Sequence, residues 1–99
     1  FRAPMIVILV STIKEHPKVP PLEQMFSTAA AGQNILLALN ALGFGGIWRT
    51  GKFALNKEIG SFLGLDDNQE VLGYLYIGTP AGDNKKIPQL DPKDFVKKL

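Results

Sequence analysis

The segment from Pro21 to Leu42 constrains this chain most. PLEQMFSTAAAGQNILLALNAL opens on a proline, which a helix tolerates in its first turn, and places Glu23 near the positive end of the helix dipole. Gly43 follows as the expected stop. Its apolar and small residues include Met25, Phe26, Ala29, Ala30, Gly32, Ile35, Leu36, Leu37, Leu39, Ala41 and Leu42, and they cover most of the circumference. A helix that is hydrophobic all round has to be enclosed. A chain of 99 residues makes one small domain and leaves little material for that enclosure. The expected cover is a missing half, a second subunit, or both.

The remaining elements follow from shorter signals. Met5 to Val10, MIVILV, is a continuous apolar run rich in β-branched residues, which reads as a strand covered on both faces and not as an edge. Ser11 to Pro20 carries charge and proline and reads as a surface loop. Ile47 to Thr50 is a short strand. Asn56 caps a second helix, Lys57 to Leu63, which Gly64 ends. Val71 to Ile77, VLGYLYI, is a second strongly apolar strand closed by Gly78-Thr79-Pro80. The tail from Ala81 is polar, with one last helical turn expected from Asp91-Pro92 through Val96. The order is strand, long helix, short strand, helix, strand, tail: an α/β or α+β chain with a mixed sheet. Two strands and a greasy helix do not complete a domain, and the chain reaches strand-like sequence almost at once from Phe1. It therefore reads as a piece of a longer protein.

Composition excludes several functions. Hydrophobic residues make up 45% of the chain, which rules out wholesale disorder. The net charge of +2 is too small to argue for nucleic acid. The pairs Lys85-Lys86 and Lys97-Lys98 read as solvated surface. There is no cysteine, hence no disulfide, thiolate metal site or cysteine nucleophile, which fits a cytoplasmic protein. No apolar stretch is long enough to span a bilayer, and the first residues lack a signal-peptide pattern. His16 is the only histidine and sits in a charged loop, so neither a triad nor a histidine metal site is supported. Asp66-Asp67 reads as a solvated turn, and Ser27 and Ser61 have no visible base partner.

One stretch remains. GFGGIWRTG, residues 43 to 51, gathers four glycines around the only tryptophan and an arginine. It is not the dinucleotide fingerprint, because its glycines follow a helix and open a strand, the reverse of that motif. Either it is a turn, with Gly43 the helix stop, Gly45 and Gly46 a bend, Trp48 in the core and Arg49 toward solvent, or it holds an anionic ligand on the arginine fork. Spacing alone favours the turn.

Four stretches in order, FRAPMIVILV, HPKVPPLEQ, AAAGQNILLALNALGFGGIWRTG and VLGYLYIGTP, resemble the C-terminal half of the nitroreductase family, in particular its short single-domain NAD(P)H enzymes. The third stretch is the most specific. The resemblance covers nearly all of the chain and is weakest in the tail from Asp83. It implies an α+β, nitroreductase-like fold with a mixed sheet and a long buried helix at the interface of a homodimer, residues 1–99 forming the C-terminal part of a single domain. It implies FMN at the interface and hydride transfer from NAD(P)H through the flavin to a nitroaromatic, quinone or similar small-molecule acceptor in a ping-pong cycle, with no nucleic acid and no membrane involved. The cofactor carries the hard chemistry in such enzymes, which accounts for the missing triad. By the same resemblance Trp48, Arg49 and Thr50 match the segment that touches FMN, and Ala38, Leu39, Asn40, Ala41, Leu42 and Gly43 match a segment assigned to the nicotinamide nucleotide. The arginine- and serine-rich segment that grips the flavin phosphate in the family has no match here, which fits a fragment inactive on its own. The alternative is a non-catalytic dimerisation or binding module of the same fold that has lost the flavin. Flavin destruction and dehalogenation are further activities of the same fold.

Overall fold

The computed structural model describes residues 3–53, 56–83 and 85–99. Strand β1 (Met5–Thr12) leads into helix α1 (Pro21–Ala41) and strand β2 (Gly45–Arg49). A short 3-10 turn, Gly51–Phe53, precedes helix α2 (Lys57–Phe62) and strand β3 (Gln69–Gly78). Another 3-10 turn, Pro92–Asp94, is capped by the Asp91 carboxylate, which accepts from the Lys93 N–H at 3.0 Å. The expected element order holds, and the fold is α+β.

The sheet order is β1-β3-β2, and β3 pairs antiparallel with both neighbours. A parallel pairing, as in a mixed sheet, would need a strand beyond these three. Three sequence expectations change here. β1 is an edge of this sheet, not a strand enclosed on both sides, and it runs two residues beyond Val10, so Ser11 and Thr12 belong to a strand and not to the loop. Hydrogen bonds extend the pairing past the strand end: the Ile13 N–H donates to the Asn68 carbonyl at 2.7 Å, and the Asn68 amide returns a bond to the Ile13 carbonyl at 3.0 Å. β2 begins at Gly45, so Gly45 and Gly46 lie in the strand where a bend was expected.

Alternation on the strands sorts the residues onto two faces. Val7 and Leu9 of β1, Gly73, Leu75 and Ile77 of β3 and Trp48 of β2 share the inner face, by the pairings Val7 with Leu75, Leu9 with Gly73 and Trp48 with Leu75. Ile35, Leu36 and Leu39 of α1 pack on it, and Leu75 at its centre is wholly buried. Helix and sheet approach closely because glycines stand at the contacts. A Cβ on Gly32 would lie 2.7 Å from Leu9 Cδ1 and 2.8 Å from Trp48 Cζ3, and one on Gly46 would lie 2.8 Å from Leu36 Cδ2.

α1 is covered on this one face only. Gly32 is its single buried residue, while Leu22, Phe26 and Leu37 on the opposite side are each more than half exposed. The expected long buried helix is therefore half-clad in the 99 residues, which hold too few apolar side chains to wrap it. Among the described residues the buried apolar set is Leu9, Val71, Leu75 and Ile77. The loop before α1 is pinned by Gln24, whose amide donates to the carbonyls of Lys14 (2.8 Å) and Val19 (3.0 Å) while its oxygen accepts from the Lys14 N–H (3.0 Å).

Candidate functional site

The glycines of residues 43 to 51 divide into distinct jobs. Gly43 has φ +86°, the left-handed conformation of a helix stop, and its N–H donates to the Asn40 carbonyl at 3.1 Å. Gly46 makes room for Leu36, and Gly51 turns the chain out of β2 with φ +56°. Between them β2 presents Trp48 and Arg49 to opposite faces of the sheet, as adjacent strand residues must.

Trp48 belongs to the inner face. Its indole is wedged between Gly32 of α1 and Gly73 of β3, where a Cβ on Gly73 would collide with the indole at Nε1. The indole N–H donates to the Leu72 carbonyl at 3.4 Å, a long bond. The core reading of Trp48 is thus the one its side chain follows.

Arg49 belongs to the outer face, opposite Tyr74, with Ile47 opposite Tyr76. Two open grooves meet at Arg49 and Tyr76. One, of about 510 Å³, runs under α2 and is lined by Ile6, Thr50, Lys52, Phe62 and Tyr74 besides those two. The other, of about 570 Å³, follows the strand ends past Pro4, Gly46, Ile47 and Thr79. Both volumes lie within the range of small-molecule sites, roughly 300–1,000 Å³. No acidic residue lines either groove among the described residues. Burial, then the neighbouring Tyr76, raises the Tyr74 phenol above its ordinary value of 10.0, so at neutral pH it is an O–H donor.

α2 forms one wall because its start is fixed. The Asn56 side chain accepts from the Glu58 N–H at 2.8 Å, and Lys57 Nζ pairs with Glu70 on β3 at 3.0 Å. Ile59, Phe62 and Leu63 then face the sheet side of the groove. The result is a cavity with cationic groups at one end, two phenols on its floor and an apolar wall. It suits a planar, largely apolar molecule that carries an anionic group.

Of the sequence-derived candidates, Arg49 and Thr50 line one groove together, and the Trp48 side chain lies on the other side of the sheet. Ala38 to Gly43 form the last turn and stop of α1 and line neither groove. That helix end has no basic residue and carries the negative pole of the dipole. His16 is exposed, and its Nδ1 accepts from the Lys18 N–H at 3.1 Å. Among the described residues no acid or histidine cluster is fit to hold a metal, and no helix is long and apolar enough to cross a membrane. Tyr74, Tyr76, Lys52 and Phe62 escaped the sequence reading. The two tyrosines were findable: two residues apart on a strand, they must share a face, and the adjacency of Trp48 and Arg49 splits that pair.

Comparison with known proteins identifies relatives of this chain. The model of the Nitroreductase family matches residues 1–79. An Escherichia coli protein named "Putative NAD(P)H nitroreductase YdjA" is 37% identical over 97% of this chain and 53% of its own length. The chain thus spans about half the length of the curated relatives it matches. Among solved structures, a nitroreductase-like family protein from Bacillus cereus superposes with a TM-score of 0.76 at 19% identity, over 95% of this chain and 50% of that one. The NADPH:FMN oxidoreductase from Vibrio harveyi, complexed with NAD+, gives 0.65 at 28% identity, over 78% of this chain and 34% of that one.

Proposed function

From the premise that this chain belongs to the nitroreductase family, we propose that it is the flavin-facing part of an FMN-dependent oxidoreductase, with Arg49 at the centre of its share of the site. The protein passes a hydride from NAD(P)H to small acceptors, nitroaromatics or quinones, in a ping-pong cycle. The V. harveyi neighbour, an NADPH:FMN oxidoreductase, supports this reading. The observation that carries it is the seat of Arg49, where two grooves meet at Tyr76, one of them floored by Tyr74 as well and both free of acidic lining among the described residues.

These residues fit such a cofactor by their chemistry. The guanidinium fork of Arg49, with Thr50 and Lys52 beside it, suits a phosphate or a polar ring edge. Ile6, Phe62 and the tyrosine rings suit a flat apolar body. β2 is an edge strand of the described sheet, so alternate backbone groups along its outer side can serve a ligand. When bound, FMN supplies the hydride-accepting and hydride-donating centre. The chain's own residues would bind it, orient it and keep water from its apolar side.

Ala38 to Gly43 would meet the nicotinamide nucleotide. The negative pole of the α1 C-terminus suits the cationic ring of its oxidised form better than its phosphates. The outer face of α1, with Leu22, Phe26 and Leu37, is the surface for a homodimer partner. The test is the visible spectrum of a polypeptide of the relatives' full length containing these residues, incubated with FMN and desalted. Retained yellow flavin is expected. In the same protein Arg49→Ala should weaken FMN binding about tenfold, or about 1.4 kcal/mol, and Lys97→Ala in the tail should leave it unchanged. Equal affinity in Arg49→Ala and the parent would remove Arg49 from the site.

A further inference from the structure

We infer that the groove along the strand ends seats the electron acceptor, a flat ring whose anionic substituent meets Arg49, while the groove under α2 is kept for the flavin. The inference rests on the flavin reading of the α2 groove and extends it to the second groove, of about 570 Å³, to which that reading assigns no ligand.

This groove exists because one row of the sheet lacks side chains. Along the outer face the pairs of β2 and β3 run Arg49 with Tyr74, Ile47 with Tyr76, and Gly45 with Gly78. The last pair supplies no side chain, so the face falls to bare backbone at that end. Glycine weakens a strand, and within one it marks a close approach by another backbone or by a ligand. Two prolines take part of the room. A Cβ on Gly78 would lie 3.1 Å from Pro4 Cδ, and one on Gly45 would lie 3.4 Å from Pro80 Cγ. Both prolines line the groove, together with Ile47, which is 52% exposed, Tyr76 and Thr79.

The occupant follows from size and charge. The volume suits one small molecule, and walls of proline, isoleucine and tyrosine suit a flat ring. Among the described residues Arg49 is the one charged group in the lining. Its guanidinium carries five N–H donors in a fixed fork, enough to serve a ligand in each of the grooves that meet there. Two reactants that share Arg49 and Tyr76 are held side by side, which is the positioning that a transfer between them needs. The groove also reaches Gly45, two residues beyond the α1 stop at Gly43. It therefore adjoins the helix end proposed for the nicotinamide nucleotide, and reductant and acceptor can occupy it in turn.

The test uses a polypeptide of the relatives' full length that contains these residues, with 4-nitrobenzoate as the probe. Two substitutions act on Ile47, which lines this groove and not the other. Ile47→Trp fills the groove, and Ile47→Glu puts an acid into it with little added volume. In each variant the Kd for 4-nitrobenzoate, read by calorimetry, should rise at least about tenfold, with FMN retention after desalting equal to the parent's. An unchanged Kd in either variant, shown by denaturant unfolding to be folded, would overturn the inference, as would a parent that binds no 4-nitrobenzoate. Loss of FMN together with the probe would put the flavin in this groove and overturn it equally. A parent that keeps no flavin, yet binds the probe through Ile47, would sink the flavin reading and uphold the groove as a site for an aromatic anion.

Discussion

The two faces of the sheet are built from the same three strands and obey different rules. The inner face is closed by contact: glycines at 32, 46 and 73 let α1 and the Trp48 ring press onto the strands, and Leu75 beneath them has no exposure. The outer face is open by shape. Tyr74, Tyr76 and Arg49 stand over grooves, with α2 covering only part of them. Neighbouring residues on one strand therefore have unrelated duties. Trp48 packs into the core and Arg49 faces the grooves, so substitutions one position apart should fail in different assays.

The largest effect belongs to the inner face. Leu75→Ala should lower unfolding stability by about 2–5 kcal/mol, as wholly buried leucines do when they leave a cavity, read by denaturant unfolding. A loss no larger than that of an exposed residue would mean that α1 does not close over the sheet in solution. Gly73→Ala comes next. The added methyl meets a rigid indole, not a flexible chain end, so the ring or the strand has to move at about 1–3 kcal/mol. The tryptophan emission should shift to longer wavelength as the ring is displaced. An unchanged spectrum at parental stability would show that Trp48 does not lie over Gly73. The Arg49→Ala substitution inverts this pattern: flavin affinity falls and unfolding stability stays within about 0.5 kcal/mol of the parent, as for surface changes in general. A large stability loss there would erase the distinction between the faces.

Much of the inner face was legible in the sequence. The helix announced itself by Pro21, Glu23 and Gly43, and the Asn56 cap and the Asp91-Pro92 turn were read from residue type alone, because each is local chemistry. The edge position of β1 was not legible. Six apolar residues in a row state that a strand is enclosed, and which strands enclose it is a matter of pairing over long sequence distances. The site was half legible. Arg49 and Thr50 were named from the resemblance, and the groove that surrounds Arg49 depends on Tyr74 and Tyr76, which lie 25 and 27 positions further on and meet β2 only through register. The avoidable omission was Tyr74 with Tyr76, which, two residues apart on one strand, have to share a face.

The smallest expected effect tests the outer face by its protons. The Tyr74 phenol is held above its ordinary value of 10.0, first by desolvation and then by Tyr76. In the unfolded chain Tyr74 ionises at the lower, ordinary value, so above it the unfolded state releases a proton that the folded state keeps. The stability associated with this group is thus fully present below pH 10.0 and is lost as pH rises through the raised folded value. Lysines titrate in the same region, so the comparison has to be differential. Between about pH 9 and about pH 11 the parent should lose more stability than Tyr74→Phe, which keeps the ring and removes the titrating group. Equal losses would mean that the phenol is solvated like any surface tyrosine and that the groove beneath α2 stands open to water at its floor. A difference in the opposite direction would mean that a cation, with Arg49 across the strand pair the nearest candidate by register, governs Tyr74 more strongly than burial does.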